Sequence, residues 1–406
     1  MIHHPSLSPR RLTRRAALAA LGLTPLTATA LAGGLQNAET EPPEPRNAPD
    51  HVRQHFRPGG EFEQFVAQRA AQDQFSGTIL VAYRGRPVLV RAYGMANQQA
   101  SVPNRPDTIF NLASVTKCFT GLAVVQLIQD GAIAPYATLG TYLDGFTPKV
   151  AAVTIHQMLT HTAGLTDYTQ SGAFLGGLPQ WNSVDAFMDG VMGIIRQQRE
   201  PDFTPGSQFR YSNSGFFALG AIVQQVSGSS YYDYVRERIF RPAGMADSDF
   251  YTTPQVLADA RIARPYWTQR SGGRIDFTGT SYNPFIGGPA DGAFCSAADL
   301  LNFVNALQAG TLLKPAFVEL LTGGKLAVSP WMLPSAPVRQ PYLAYGYFDD
   351  IASDQRVFGH PGNGPGKATS LEVFPDPGWI SVIVSNYDVT INPIIELARR
   401  SITDAM

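Results

Sequence analysis

The spacing of apolar residues switches between two periods along this chain. "EFEQFVAQRAAQD" repeats them at helical spacing, and "GTILVAYRGRPVLVRAYG" then alternates as two strands joined at Arg84-Gly85. "SVTKCFTGLAVVQLIQDG" is a long apolar run closed by Gly131, which predicts a buried helix with a glycine at its C-terminus. From about 140 to 290 the pattern is mostly helical with long loops, through "TIHQMLTHTAGL", "NSGFFALGAIVQQVSG" and "SSYYDYVRERIF". "SAADLLNFVNALQAG" follows as a helix capped by Ser296. Strands return in "LAYGYFDD", "RVFGHPG", "TSLEVFPD" and "WISVIVSN", with turns expected at Gly362, at Asp376-Pro377-Gly378 and at Asn386. "NPIIELARRSI" closes the chain as a helix. Strands at both ends with helices between them predict an α+β fold. One antiparallel sheet is built from N- and C-terminal parts and flanked by helices, with a mostly helical lobe inserted. A cleft between such lobes is the expected place for a site.

The first residues follow neither period. "SPRRLTRRAALAALGLTPLTATALAGG" has a basic segment, a short apolar stretch and small residues, the pattern of a cleaved export signal over residues 1–32. Thr13-Arg14-Arg15-Ala16-Ala17-Leu18 is twin-arginine-like, which predicts a periplasmic or secreted protein. Residues 33–58 are polar and proline-rich and predict a flexible leader, leaving 59–406 as the folded domain. No later stretch is apolar enough for a stable membrane span. Loss of the signal removes four arginines and no acids, moving the formal net charge from -1 to about -5. That charge gives no support for nucleic acid or an acidic membrane surface as a partner; the partner expected, on the chemistry below, is a small-molecule or peptide substrate. Cys118 and Cys295 could pair in an exported protein, but two buried free thiols are the expectation. His156 and His161 stand five apart, off one helix face, and there is no H-E-x-x-H, so neither a metal nor an organic cofactor is implied.

The candidate chemistry begins at "NLASVTKCFTG". Ser114 and Lys117 lie three residues apart where the long helix starts, so both can share one helix face. A serine hydroxyl needs a base and oxyanion donors to act as a nucleophile. A lysine desolvated among Val115, Cys118, Phe119 and Leu122 would have its pKa lowered enough to be that base. Alone, the pair is equally an ordinary helix start. Two further stretches change that: Tyr211-Ser212-Asn213 and His360-Pro361-Gly362.

With those three motifs in that order, the chain resembles the serine β-lactamase and penicillin-binding-protein-like hydrolases, including class C β-lactamases, D-alanyl-D-alanine peptidases and related esterases. "FSGTILVAYRGRPVLVRAYGMAN", "VTIHQMLTHTAGL", "GPADGAFCSAADLLNF" and "SLEVFPDPGWISVIVSN" extend the likeness over nearly the whole mature chain. The resemblance implies a β-lactamase/transpeptidase-like fold and no cofactor. It implies Ser114 as the acylated nucleophile and Lys117 as the group that takes its proton. Tyr211 would share the base role with its phenol pKa lowered by Lys117. Asn213 would bind Lys117 and substrate, and the N–H groups of Ser114 and Asn363 would form an oxyanion hole on an edge strand. Gly362 would leave room for substrate there. His161 is expected to order a loop.

The third motif departs from the family's Lys-Thr-Gly. His360 replaces a fixed cation, and Pro361 replaces a hydroxyl donor. Both lost groups help bind a substrate carboxylate, so esters, or amides and peptides without that carboxylate, fit best. A D-amino-acid peptidase specificity, a true β-lactamase and a penicillin-binding sensor that acylates without turnover remain as alternatives.

Overall fold

The computed structural model describes residues 54–329 and 340–403. The expected signal and most of the leader lie outside these residues. Among the described residues no helix is long and apolar enough to cross a membrane.

An eight-stranded sheet carries the fold. Helix α1 (Glu61–Ala71) precedes strands β1 (Gly77–Tyr83) and β2 (Arg86–Tyr93). Their hairpin turns at Arg84 and Gly85, both at positive φ (48° and 74°), the two-residue turn whose twist matches that of the strands. Helix α2 (Thr116–Gln129) opens the inserted region, which includes α3 (Val184–Arg196) and α4 (Asn213–Ser227). Helices α5 (Ala297–Gln308) and α6 (Pro315–Thr322) lead back to the sheet. Strands β3 (Leu326–Ala327), β4 (Gln340–Leu343), β5 (Phe348–Ala352), β6 (Gln355–Gly364), β7 (Lys367–Phe374) and β8 (Trp379–Ser385) follow, and α7 (Asn392–Thr403) ends the described chain. The strand order is β2-β1-β8-β7-β6-β5-β4-β3, with every pairing antiparallel. The N-terminal hairpin thus joins the C-terminal strands through β1 and β8, as the split pattern of strands predicts.

Alternation decides what each face of the sheet meets. Leu80, Ala82, Leu371, Val373, Val382 and Val384 point into the main core, shared with α2, α4 and α5. Ile79, Val81, Tyr83, Phe374, Trp379 and Ile383 point the other way and are covered by α1 and α7. Helix α2 is buried on almost all sides, which is why its apolar residues show no stripe.

Three expectations change in detail. "LAYGYFDD" is not one strand: a turn at Ala344–Tyr347 separates β4 from β5. Gly346 sits there at φ 81°, where a Cβ would lie 2.4 Å from the Lys117 carbonyl oxygen. Close packing of that turn on α2, invisible to local periodicity, breaks the strand. Gly362 does not form a turn either, because β6 runs on to Gly364. Finally, packed structure begins before position 59. Phe56, in the expected leader, is fully buried, with its ring 5.2 Å from Phe62 and 5.3 Å from Trp379.

That last contact is testable. Phe56→Ala should cost about 3 kcal/mol of stability or more, as for other buried phenylalanines. A urea unfolding midpoint equal to wild type would show that residues before 59 add nothing to the domain.

Candidate active site

The segment from Asn111 to Lys117 is shaped by contacts from three directions. Ala113 has φ 47°, a region that residues with a Cβ rarely enter. Its N–H donates to Asn111 Oδ1 at 3.0 Å, and its carbonyl accepts from Thr116 Oγ1 at 2.6 Å. The Leu112 carbonyl accepts from Thr369 Oγ1 on β7 at 2.8 Å, while the Leu112 N–H donates to the Ala293 carbonyl at 2.8 Å. The strained bend places Ser114 in a 3-10 turn, Ala113–Val115, just ahead of α2. Ser114 is therefore not a helix cap; no side-chain cap is made at either start.

Lys117 sits one turn on, with 0% exposure. Its Nζ lies 3.1 Å from Ser114 Oγ and donates to Asn213 Oδ1 at 2.7 Å and to the Ala290 carbonyl at 2.7 Å. It also lies 4.7 Å above the Tyr211 ring. Burial disfavours the ammonium and brings its pKa from 10.5 to about 7, against an upward pull from Asp291 and Asp167. The structure therefore brings Ser114, Lys117 and Asn213 into direct contact, from positions 96 residues apart in the last case.

Tyr211 corrects one expectation. Its phenol pKa is pushed up, not down, first by burial, while a hydrogen bond with Ser114 pulls it back. The nearby lysine does not dominate, because it is itself only partly charged. A phenol held in this way is a proton donor rather than a base. His161 stacks on Tyr211, with ring centroids 4.4 Å apart, and its Nδ1 accepts from the Ser212 N–H at 3.2 Å. Burial pushes its pKa well below 6.5, so it is a neutral ring that fixes the Tyr211 segment, in keeping with a loop-ordering role.

The third motif lies in the second half of β6. Strand β6 is interior in the sheet, not an edge, but β5 pairs only with Gln355–Gly359. From His360 to Gly364 it pairs, among the described strands, with β7 alone. This half-open stretch is where a strand tolerates Pro361. Gly362 is required for packing rather than for substrate clearance. A Cβ there would lie 2.2 Å from Thr369 Oγ1 and 2.5 Å from the Leu112 carbonyl. His360 is buried between Phe348 (5.1 Å) and Tyr211 (6.3 Å) and does not line the cleft. Burial, with Lys117 nearby, lowers its pKa to about 3, so the ring carries no charge at pH 7. Asn363 does line the cleft, as do Ser114, Tyr211 and Asn213.

The cleft has a volume of about 490 Å³. Its lining is rich in aromatic side chains, among them Tyr168, Phe174, Tyr251, Trp267, Phe277 and Tyr282. Tyr168 and Phe174 come from the segment 166–181, Trp267, Phe277 and Tyr282 from 264–289, and Tyr251 from the stretch between them; much of "SYNPFIGGPADG" lines the cleft too. The charged residues in its lining are Asp291 and Lys367, paired at 2.7 Å, with Lys367 also donating to Asn111 at 3.2 Å. Sequence motifs did not single out either one. The scarcity of lysine, five in the chain, was the available signal for Lys367. Cys118 and Cys295 are both free and buried, as expected.

This fold and constellation are those of the β-lactamase-type serine hydrolases. The model of the Beta-lactamase family matches residues 62–401, so the chain belongs to that family. It is similar to penicillin-binding protein 4* of Bacillus subtilis (strain 168), 27% identical over 325 residues, which is 77% of this chain and 68% of that one. Esterase EstB of Burkholderia gladioli is 35% identical over 198 residues, 46% of this chain, and the match spans only about half (49%) of the esterase. Among solved structures, a penicillin binding protein from Bacillus halodurans superposes with TM-score 0.66 at 26% identity, covering 81% of this chain and 96% of that one.

The buried amine has a stability signature. Its folded pKa of about 7 lies below the unfolded 10.5. Between those values the unfolded chain binds a proton that the folded chain does not, so Lys117 destabilises the fold increasingly as pH falls, by about 1.4 kcal/mol per unit. Relative to wild type, Lys117→Met should gain stability as pH drops from about 10 to about 7, then level off. Parallel unfolding curves with a constant difference across this range would refute a neutral-leaning Lys117.

Proposed function

We propose that this protein is an exported serine hydrolase that forms an acyl-enzyme at Ser114 and acts on esters, or amides without a required carboxylate, that carry a bulky apolar group. One observation carries the reading. Two of the three partners of Lys117, the Asn213 amide oxygen and the Ala290 carbonyl, can only accept hydrogen bonds. A neutral amine has two N–H bonds and one lone pair. Both N–H bonds are committed to those acceptors, so the lone pair is left for the Ser114 hydroxyl.

In the proposed sequence Ser114 Oγ attacks the substrate carbonyl carbon as its proton passes to Lys117 Nζ. The oxyanion forms facing the backbone N–H groups of Ser114 and Asn363. The proton then moves to the leaving group, directly from Lys117 or through the Tyr211 hydroxyl, and the carbon–heteroatom bond breaks. Water attacks the acyl-enzyme by the reverse route and regenerates Ser114 and neutral Lys117. A protonated Tyr211 fits the donor part of this path.

The substrate class follows from what the cleft offers. Its aromatic walls favour a large apolar group. Among the described residues its one lysine, Lys367, is paired with Asp291, and His360 is uncharged, so neither is a free cation for a carboxylate. This supports ester-like substrates over penicillins, and an esterase is among the relatives. The residues expected as an export signal lie outside those described, and the periplasmic or secreted location rests on their sequence.

The test is intact-protein mass after reaction with a fluorophosphonate and, separately, with a penicillin, beside turnover of p-nitrophenyl esters. A Ser114-dependent phosphonate adduct and faster turnover of aromatic or long acyl esters than of acetate are expected, with no lasting penicillin adduct. Ser114→Ala should abolish both labelling and turnover. A stable penicillin adduct would instead identify a penicillin-binding sensor, and rapid penicillin loss a β-lactamase. Ester turnover should rise with pH through about 7, because only the neutral form of Lys117 can accept the proton.

A further inference from the structure

Where the Lys117 lone pair points depends on which way the Asn213 side chain faces. An amide has an acceptor end and a donor end of nearly equal shape, and only its partners decide between them. At Asn213 the deciding partner is Asp167. Asp167 Oδ2 accepts from Asn213 Nδ2 at 2.9 Å and from the Asn213 backbone N–H at 3.3 Å. Its other oxygen, Oδ1, accepts from the Thr169 N–H at 3.0 Å and from Thr169 Oγ1 at 2.8 Å. A carboxylate can accept but not donate. It therefore compels Asn213 to turn its NH₂ toward Asp167 and its oxygen toward Lys117.

We propose that Asp167 is the positioning residue for the base: it fixes the facing of the Asn213 amide and, through it, the facing of the Lys117 amine toward Ser114. This rests on the Ser114 acyl-enzyme reading above. Were the amide reversed, its N–H groups would point at Lys117. The amine lone pair would then accept from Asn213, and an N–H rather than the lone pair would be presented to Ser114 Oγ. That arrangement has no base for the serine proton. Asp167 is itself held rigidly, since it starts the turn Tyr168–Gln170 and sits against the N-terminus of α4, where a negative charge is favourable. Its position in "HTAGLTDY" gives a reason for that stretch beyond ordering a loop. Asp167 is not itself in the cleft lining; its side chain contacts Thr169 and Asn213, and Asn213 is the link to Lys117.

The experiment is the rate of fluorophosphonate labelling from pH 5 to 9 for wild type, Asp167→Asn, Asp167→Ser and Ser114→Ala, with thermal melts of each. Asn keeps the shape of Asp167 but can donate as well as accept, so it no longer dictates the amide's facing. Ser keeps an acceptor for the Thr169 N–H but does not reach Asn213. Both should label about tenfold to a hundredfold more slowly at the alkaline plateau, the scale of a misplaced catalytic group. Their acid limb should also move to lower pH. Asp167 and Asp291 both hold the Lys117 proton on, while Lys367 opposes them; His161, His360 and Tyr211, packed around the amine, stay neutral. Losing one of the two acids therefore lowers the Lys117 pKa. A role confined to loop folding would lower the melting temperature and leave the limb where it is. Wild-type rates and an unmoved limb in whichever variant folds would overturn the proposal while leaving the Ser114 reading intact. Labelling of Ser114→Ala at the wild-type rate would instead overturn that reading.

Discussion

Keeping one lysine amine out of water, between two pure hydrogen-bond acceptors and one hydroxyl, is the constraint from which the rest of this structure follows. An ammonium group in an apolar core costs several kcal/mol unless it is paired. Among the described residues Lys117 has no carboxylate in contact. It has Ser114 Oγ, the Asn213 amide oxygen and the Ala290 carbonyl, supplied by three segments remote from one another in the chain. The molecule relieves the cost by letting the amine approach neutrality, and that state is what a proton acceptor requires. Packing on the far side is as tight. The Lys117 carbonyl leaves no room for a side chain at Gly346, and Cys118 Sγ lies 3.5 Å from the Gly346 carbonyl.

The same constraint accounts for the unusual third motif. A second fixed cation at position 360, close to Lys117, would push the amine further from its charged form and would need its own partner in the core. A buried histidine avoids both difficulties by remaining neutral between Phe348 and Tyr211. The cation facing the cleft comes from the next strand instead, as Lys367, already matched by Asp291. The described residues that line the cleft include nine aromatic side chains and one matched pair of charges.

Preorganisation around Ser114 comes from backbone contacts rather than from side-chain charge. The positive φ at Ala113 survives because Asn111, Thr116, Thr369 and Ala293 all grip the turn. Gly362 allows β6 to approach that turn closely enough for Asn363 to line the same cleft as Ser114. Behind the sheet, Arg399 on α7 pairs with Glu372 at 2.5 Å and faces Asp350 at 3.5 Å. This buried cluster ties α7 to β5 and β7 on the face away from the cleft.

Much of this was determined by sequence alone. Helical and strand periods placed α1, α2, α4, α5, α7 and the strands β1, β2, β6, β7 and β8 near their observed bounds, because each element buries a regular face. Three ordered motifs named Ser114, Lys117, Tyr211 and Asn213, since nucleophile, base and their neighbours are residue types with few other reasons to recur in that order. Only the tertiary structure decided the rest. The turn at Gly346, the continuity of β6 through Gly362 and the burial of Phe56 are set by contacts between segments far apart in the chain, which no local period records. The protonation of Tyr211 and His360 depends on desolvation, a property of the folded surroundings and not of the residue. The roles of Asp167, Asp291 and Lys367 likewise exist only once folding brings acceptor and donor within 3 Å.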